Sequence, residues 1–478
     1  MYEFDDTPDW SGLPPGLDID DVLDQCMQAL SQGSLELLDA ELRFPEQLEQ
    51  LTAYCLERGR YAEGVTVASL WSIVAPYSAD AWHKLGIAQA AIGNYREAIE
   101  SLRHALLCNP TDTEIILHLA ETYSTAGIVS EAEKYFDYAL LIDPSCEEAI
   151  FQKAAFLQRR GFYRDAIELY ERLADSRTFA KDALFELGFC YDCCQQYADA
   201  ITAYDRVLDL DPYNADAWFN RGVVFTRCTQ YTEALSSYDF ALAIEPAHVA
   251  ALYNKGNVLS LLGKLEAAIS CYRAALEHDP GDAAIWHNLG SVLGEMGKYQ
   301  EAIDAFTEAI RINPRHFEAY FGRGTCYDAL EHYYQALSDY DAALQVQRAY
   351  PELWYARADV LMQLELYEEA LDSYRTALKL DPTQAACWYD FAIALLHTRQ
   401  YPDAVAALCR AAELSPTWAD PHFALVKAYL LQANVPAAQQ ALQRAIELSP
   451  HRRAEFEAEL LAILPASITR LLDQSHKE

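Results

Sequence analysis

A small residue returns every 34 residues along most of this chain of 478 residues. It occupies Gly64, Ala98, Ala132, Ala166, Ala200, Ala234, Ala268, Ala302, Ala336, Ala370, Ala404 and Ala438. A proline follows twelve residues later in most of these units, and Thr178 and Arg348 stand in its place in two of them. Twelve occurrences without an insertion or deletion indicate a repeat array.

One unit, Ala283 to His316, predicts a helix, a turn and a second helix. The first helix has an apolar face at helical spacing: Trp286, Leu289, Gly290 and Leu293. The second helix has a similar face: Tyr299, Ala302, Phe306 and Ala309. Gly297 separates the two helices. Pro314 ends the second, because proline lacks an amide hydrogen and disfavours helix in the residue before it.

The order Trp–Leu–Gly, Tyr, Ala, Phe, Ala and Pro resembles the tetratricopeptide repeat, and the resemblance covers Pro45 to Arg452. It implies an all-α fold, a right-handed superhelical α-solenoid of tandem helix-turn-helix repeats. It also implies a concave groove, lined mainly by the first helices, that holds a peptide or a partner protein. We number the positions of each repeat from the start of its first helix, so that Ala283 is the first position of its repeat.

Outside the repeats the sequence predicts two terminal segments. Residues 1–17 are acidic and contain Pro and Gly, and we expect them to be disordered. Residues 18–44 are predicted to form a helical cap on the first repeat. Residues 45–452 would then form a single solenoid domain of twelve repeats, and residues 453–478 a capping helix with a frayed end.

Two places in the array depart from the pattern. Leu173 and Val207 replace the small residue at the close contact of the second helix, and Thr178 replaces the proline. Larger side chains in a tight contact force helices apart. We therefore expect local changes in superhelix pitch near 173–182 and near 348–351.

The formal net charge is −36, which disfavours nucleic acids and anionic membranes as partners, because both are bound through Lys and Arg. The charge favours a cationic partner, although it could serve solubility alone. The twelve cysteines are scattered, the N-terminus does not read as a signal peptide, and no apolar run approaches a membrane span. These features predict a cytoplasmic protein.

No motif in the sequence predicts an enzyme. There is no phosphate-binding glycine loop, no HExxH motif, and too little chain outside the repeats for a catalytic domain. The segment Cys190–Cys194 (CYDCC) could begin a zinc site, but no second cysteine pair follows it. We therefore expect no catalytic residue, no metal site and no cofactor.

The seventh position of the first helix predicts ion pairs between repeats. It is basic in five repeats, and in four of them an acid stands 16 residues earlier. The predicted pairs are Lys153 with Asp137, Arg221 with Asp205, Lys255 with Asp239, and Arg357 with Asp341. Arg323, the fifth, has Thr307 in that place.

The resemblance points to the second, fifth, ninth, twelfth and thirteenth positions of the first helix as the groove lining. The predicted binding residues are aromatic at the fifth position and acidic at the second: Phe185, Phe219, Tyr253, Phe321, Tyr355, Tyr389, Asp182, Asp216, Glu318 and Glu352. Asp192, Asp328 and Asp359 add acids at the twelfth and ninth positions. Such a lining suits apolar and basic side chains. The aromatic residues could instead serve only to pack neighbouring helices.

The sequence therefore predicts a non-catalytic scaffold that binds a partner segment with basic and apolar residues in its groove. The alternative is a structural protein that self-associates through its ends or its convex face.

Overall fold

A computed structural model of the chain describes residues 19–34, 36, 38, 44–452 and 456. These residues form α-helices without a β-strand, apart from a short 3-10 turn at Pro450–Arg452. The helices are α1 (Ile19–Gln32), α2 (Pro45–Glu57), α3 (Tyr61–Val74), α4 (Ala79–Ala91), α5 (Tyr95–Cys108), α6 (Thr113–Thr125), α7 (Val129–Ile142), α8 (Glu147–Arg159), α9 (Tyr163–Glu171), α10 (Ala180–Cys193), α11 (Tyr197–Leu210), α12 (Ala215–Arg227), α13 (Tyr231–Ile244), α14 (Val249–Leu261), α15 (Leu265–His278), α16 (Ala283–Glu295), α17 (Tyr299–Ile312), α18 (Phe317–Ala329), α19 (Tyr333–Val346), α20 (Pro351–Gln363), α21 (Tyr367–Leu380), α22 (Ala385–His397), α23 (Tyr401–Leu414), α24 (Asp420–Leu431) and α25 (Val435–Leu448). The predicted all-α repeat solenoid is confirmed.

From α2 onward, even-numbered helices are first helices of a repeat and odd-numbered helices are second helices. The turn between them requires a left-handed backbone at the fifteenth position, where Gly297 has a φ of 73°. Thr229 holds the same conformation in its own repeat, with a φ of 59°. Because β-branched residues rarely adopt a positive φ, the turn geometry is imposed by the packing of the two helices.

The indole of the first helix ties successive repeats together. Trp286 donates its Nε1 hydrogen to the carbonyl of Pro280 at 3.0 Å, six residues earlier. Trp354 makes the same bond at 2.8 Å to the carbonyl of Arg348, one of the two residues that replace the repeat's proline. The bond needs only a carbonyl, so it does not depend on the proline. The two helices on either side of this segment, α19 and α20, accordingly have their usual lengths.

The region near 173–182 does differ from the other repeats. α9 ends at Glu171 after nine residues, whereas the other second helices have fourteen. The shortening coincides with Leu173, which is 1% exposed at a position where most other repeats carry alanine. The predicted irregularity near 173–182 is therefore present as a shortened helix. The predicted changes of superhelix pitch, near 173–182 and near 348–351, stay predictions.

In eight of the twelve repeats, an aromatic ring of the second helix lies over a small residue of the first helix in the core. A methyl group on Gly324 would lie 2.6 Å from the ring of Tyr340, which is 1% exposed. Phe306 is the corresponding ring of its own repeat, and it also contacts the next repeat. A methyl group on Gly290 would lie 2.9 Å from the Phe306 ring, and a methyl group on Gly322, in the next repeat, would lie 2.5 Å from it. The close contacts explain the small residues of the repeat pattern.

The four predicted ion pairs are confirmed. The distances are 2.5 Å for Lys153–Asp137, 2.7 Å for Arg221–Asp205, 2.6 Å for Lys255–Asp239 and 2.6 Å for Arg357–Asp341. Arg323 donates to Thr307 Oγ1 at 3.0 Å and also to both carboxylate oxygens of Asp339, at 2.8 and 2.7 Å. The Arg323–Asp339 pair is more deeply buried than the others, with exposed side-chain fractions of 18% and 8%.

The described residues divide into two compact units, and the boundary lies within α13, between Glu233 and Ala234. Unit 1 contains α1 to α12, and unit 2 contains α14 to α25. The single domain over 45–452 stays a prediction. No described helix combines the length and apolar character needed to cross a membrane.

The predicted terminal segments lie largely outside the described residues. α1 belongs to the predicted N-terminal cap, whereas residues 1–17 and most of the predicted closing helix are not described. Phe456 is an exception: it is 5% exposed and its ring centre lies 4.6 Å from that of Phe423.

Candidate functional site

Successive first helices share one face, and the repeat frame determines which side chains meet there. The fifth position of one first helix meets the sixth position of the next, 35 residues later. Three pairs show this contact: His83 with His118 at 3.0 Å, Tyr253 with Asn288 at 3.0 Å, and Tyr355 with Asp390 at 2.5 Å. The ninth position also reaches the next sixth position, as Asn257 does toward Asn288 at 2.9 Å. We call this surface the first-helix face.

The six predicted aromatic residues are all half-buried, each at the fifth position on the first-helix face of its own unit. Phe185 and Phe219 lie in unit 1, and Tyr253, Phe321, Tyr355 and Tyr389 lie in unit 2. In four of them the ring packs against the buried tyrosine of its own second helix, as Phe185 does on Tyr204 with ring centres 5.9 Å apart. Helix packing thus uses one side of these rings and leaves part of each ring exposed.

The four predicted acids of the second position, Asp182, Asp216, Glu318 and Glu352, are exposed. Glu318 lies 3.0 Å from Nδ1 of His316, which precedes its helix. At exposed positions such charges attract a cation weakly, because water screens them. That these four acids contribute to binding stays a prediction.

A stronger electrostatic feature lies on the first helices of unit 2. Asp328 on α18, Asp359 on α20 and Asp390 on α22 are three partly buried carboxylates, which we call the carboxylate trio. Burial raises the pKa of each above its ordinary value. The pKa of Asp359 reaches about 7, because burial and the charges of Asp390 and Asp328 outweigh its hydrogen bond with Tyr374.

Only tyrosine hydroxyls are bound to the trio within the described part of the chain. Tyr374 donates to Oδ1 of Asp359 at 2.7 Å, and Tyr355 donates to Oδ2 of Asp390 at 2.5 Å. No described Lys, Arg or His forms an ion pair with any of the three. Buried carboxylates without a cation carry an unfavourable desolvation energy, which a bound cation would offset.

The first-helix face of unit 1 differs, because its buried acid already has a partner. Oδ2 of Asp192 on α10 lies 2.7 Å from the guanidinium of Arg227 on α12. Glu186 likewise accepts a hydrogen bond from Gln158 at 2.6 Å. Repeats with similar sequences thus differ in whether the partly buried acid of the first helix is paired with a cation.

The raised pKa of Asp359 predicts a pH-dependent stability. The folded chain binds a proton at Asp359 between the unfolded carboxyl pKa of about 3.9 and the folded value of about 7, so the free energy of unfolding should fall as pH rises through this range. Asp359→Asn should reduce this fall, and Asp372→Asn should not, since the Asp372 side chain is 80% exposed. Urea unfolding midpoints from about pH 5 to about pH 8 measure the difference. Equal pH slopes for the Asp359→Asn variant and the wild-type protein would contradict the assignment.

Two histidines that the sequence did not single out also meet on this face. His83 on α4 is 3% exposed, and its Nε2 lies 3.0 Å from Nδ1 of His118 on α6. Burial lowers the pKa of His83 to about 3, helped by the nearby His118 and Lys84. His83 occupies the fifth position, where most repeats carry an aromatic residue. The 35-residue spacing is the signal that could have identified the pair.

The cysteine cluster of α10 is built into the helix packing. Cys190 is fully buried, and burial raises its thiol pKa to about 12. The Cys193 thiol is hydrogen-bonded to Tyr163, and burial raises its pKa too. A thiol with a raised pKa is a poor metal ligand. The absence of zinc from this cluster stays a prediction.

Open clefts also lie away from the first-helix face. In unit 2, one of about 730 Å³ is lined by Arg273, Trp286, Leu293, Glu301 and Asp304, among others. These residues belong to two second helices and the first helix between them, and none belongs to the predicted set. The clefts follow from the spacing of the repeats, and in this one Arg273 and Glu301 form an ion pair with each other at 2.9 Å.

Models of the tetratricopeptide repeat match several segments of the chain. The matched residues are 79–112, 194–227, 247–315, 281–350, 351–384 and 373–406. A comparison with curated proteins gave no match.

Solved structures with a similar fold include three of different sizes. YrrB, described as a TPR protein with an unusual peptide-binding site, is 23% identical over 39% of this chain and 97% of its own, with a TM-score of 0.37. MamA is 24% identical over 34% of this chain and 95% of its own, with a TM-score of 0.33. The APC/C hetero-tetramer Cut9-Hcn1 is 16% identical over 94% of this chain and 96% of that chain, with a TM-score of 0.40. From the family matches and the tandem helix pairs, the chain belongs to the tetratricopeptide repeat proteins.

Proposed function

We propose that the chain is a non-catalytic interaction scaffold whose main binding site is the first-helix face of unit 2, from α18 to α22. The ligand is a protein segment that carries a basic side chain next to apolar ones. The observation that supports this most is the carboxylate trio, which is partly buried and has no cation among the described residues.

A bound Arg or Lys would act on the trio in two ways. It would neutralise carboxylates that burial has made costly to ionise, and it would lower the pKa of Asp359 from about 7. The hydroxyls of Tyr355 and Tyr374 already orient Asp390 and Asp359, so these side chains lose little conformational entropy when a cation binds. A guanidinium suits this site best, because its planar fork can bind two carboxylates at once.

The apolar half of the ligand would lie on the exposed parts of the neighbouring rings. Phe321, Tyr355 and Tyr389 are half-buried on the three first helices that carry the trio. Phe321 is held by Tyr340 and Tyr350, and Tyr389 by Trp418 at 4.9 Å between ring centres. Rings held in this way bind with little loss of conformational entropy and commonly anchor interfaces.

The test is selection of peptides from a random display library on the full chain. The wild-type protein should enrich peptides in which Arg or Lys adjoins Leu, Ile or an aromatic residue. The variant Asp328→Asn/Asp359→Asn/Asp390→Asn should lose this enrichment. A matched control, Asp304→Asn/Asp372→Asn/Asp403→Asn, replaces the same number of carboxyl groups at exposed positions of second helices and should keep the enrichment. Enrichment that persists in the first variant, or is lost equally in the control, would contradict the proposed site.

Self-association stays the alternative function. It predicts that the molecular mass rises with protein concentration in the absence of any peptide. Sedimentation equilibrium over a range of protein concentrations separates the two, because a scaffold that binds peptides on the first-helix face of unit 2 does not require a change of mass.

A further inference from the structure

We propose that His83, Glu114 and His118 form a binding site for one divalent metal ion of the zinc class on the first-helix face of unit 1. Glu114 and His118 stand four residues apart on α6, so both side chains lie on the same side of that helix. His83 reaches them from α4, where it is 3% exposed. One potential donor atom from each of the three lies within 4.8 Å of the other two.

The distance between the imidazoles fits a shared ion. Nε2 of His83 lies 3.0 Å from Nδ1 of His118, and the ring planes are inclined by 64°. Two nitrogens that each bind zinc at about 2.0–2.1 Å in tetrahedral geometry lie roughly 3.3 Å apart. An ion bound by both nitrogens would lie to one side of the line that joins them, and the nitrogens would move apart by a few tenths of an ångström. It would replace the hydrogen bond between the two nitrogens and the contact of His118 Nδ1 with the carbonyl oxygen of Glu114 at 3.0 Å.

The donor set suits zinc, cobalt(II) and nickel(II). Imidazole is the ligand that these ions share, and one carboxylate partly offsets the charge of the ion. Three protein ligands leave a position open for water or for a side chain of a partner. Glu114 is exposed, so an ion can reach the site from solvent. Asp112 is occupied otherwise, since its Oδ1 accepts the amide hydrogens of Glu114 and Ile115.

A second cluster of the same composition shows that residue types alone do not make this site. His287 holds the fifth position in unit 2, near His316 and Glu318. There Nδ1 of His287 faces Oδ1 of Asn288 at 3.2 Å, and Nδ1 of His316 faces Glu318 at 3.0 Å. The donor atoms of this cluster are not brought within the 4.8 Å range that joins His83, Glu114 and His118. His287 therefore provides a matched control.

The test is titration of the full chain, without added histidines and after treatment with EDTA, with Co²⁺ followed by visible absorption. The wild-type protein should bind one Co²⁺ without a thiolate charge-transfer band. His83→Phe and His118→Gln should each weaken binding at least about tenfold. His83→Phe installs the residue type that Phe151 and Phe185 show to be compatible with this position. Zn²⁺ should also raise the melting temperature of the wild-type protein more than that of either variant.

His287→Phe and Cys190→Ser/Cys193→Ser should bind Co²⁺ as the wild-type protein does. Far-UV circular dichroism identifies any variant that fails to fold, and Glu114→Gln, at an exposed position, then carries the test. No Co²⁺ binding to the wild-type protein, or binding that neither histidine variant weakens, would show that the two imidazoles only share a hydrogen bond. Binding lost in the cysteine variant would place the metal at the CYDCC segment instead.

Discussion

Arg323→Ala should lower the free energy of unfolding by about 3–5 kcal/mol, because it leaves a buried carboxylate without its cation. The Asp339 side chain is only 8% exposed, and Arg323 supplies two hydrogen bonds to it. The hydrogen bond with Asp339 also raises the pKa of Arg323, so the guanidinium keeps its charge at every accessible pH. Urea unfolding followed by circular dichroism measures the loss.

The exposed pair Arg375–Asp372 is the control for this substitution. Its side chains are 51% and 80% exposed, and Arg375→Ala should cost less than about 0.5 kcal/mol. The double variant Arg323→Met/Asp339→Leu should recover much of the stability, since an apolar pair can replace a buried ion pair. A single-variant loss below about 1 kcal/mol would mean that water reaches Asp339.

Phe306→Ala should cost about 3–5 kcal/mol, the usual result of deleting a buried aromatic ring. Phe306 is 2% exposed and packs against Gly290 of its own repeat and Gly322 of the next. Because glycine offers no side chain that could move into the space, the cavity should persist. Removal of the Phe306 ring would weaken both the packing within its repeat and the contact with the next repeat.

Tyr334→Ala is the control for Phe306→Ala. It deletes a ring of similar size that is 74% exposed on a second helix of unit 2, and it should change the free energy of unfolding by less than about 0.5 kcal/mol. The melting temperatures of the two variants, measured side by side, give the comparison. Equal losses would mean that the ring of Phe306 is not a shared element of two repeats.

The fold could be predicted because the repeat constrains every unit in the same way. The 34-residue period predicts the helix pairs, and the 16-residue spacing of acid and base predicts the ion pairs, since each is repeated many times. Arg323 shows the limit of this reasoning. Its upstream residue is Thr307, and the acid that binds it, Asp339, comes 16 residues later on its own second helix.

The candidate site depends on differences between repeats, which a shared pattern does not reveal. Asp328 and Asp359 are among the acids of the predicted groove, whereas Asp390 is not, because the sixth position is not one of those to which the resemblance points. The same omission hid the contact of His83 with His118. How far burial raises a carboxyl pKa depends on the packing around it, so the special character of Asp359 emerges only from the structure.

The claim that the carboxylate trio binds a basic side chain is tested most directly by a double-mutant cycle. A selected peptide and its Arg→Ala form are titrated by fluorescence anisotropy against the wild-type protein and against Asp359→Asn/Asp390→Asn. We predict a coupling energy of at least about 1.5 kcal/mol between the peptide arginine and the two carboxylates, as found for close charge pairs in interfaces. Effects that add to within about 0.5 kcal/mol would contradict the claim, because they would show that the arginine binds elsewhere.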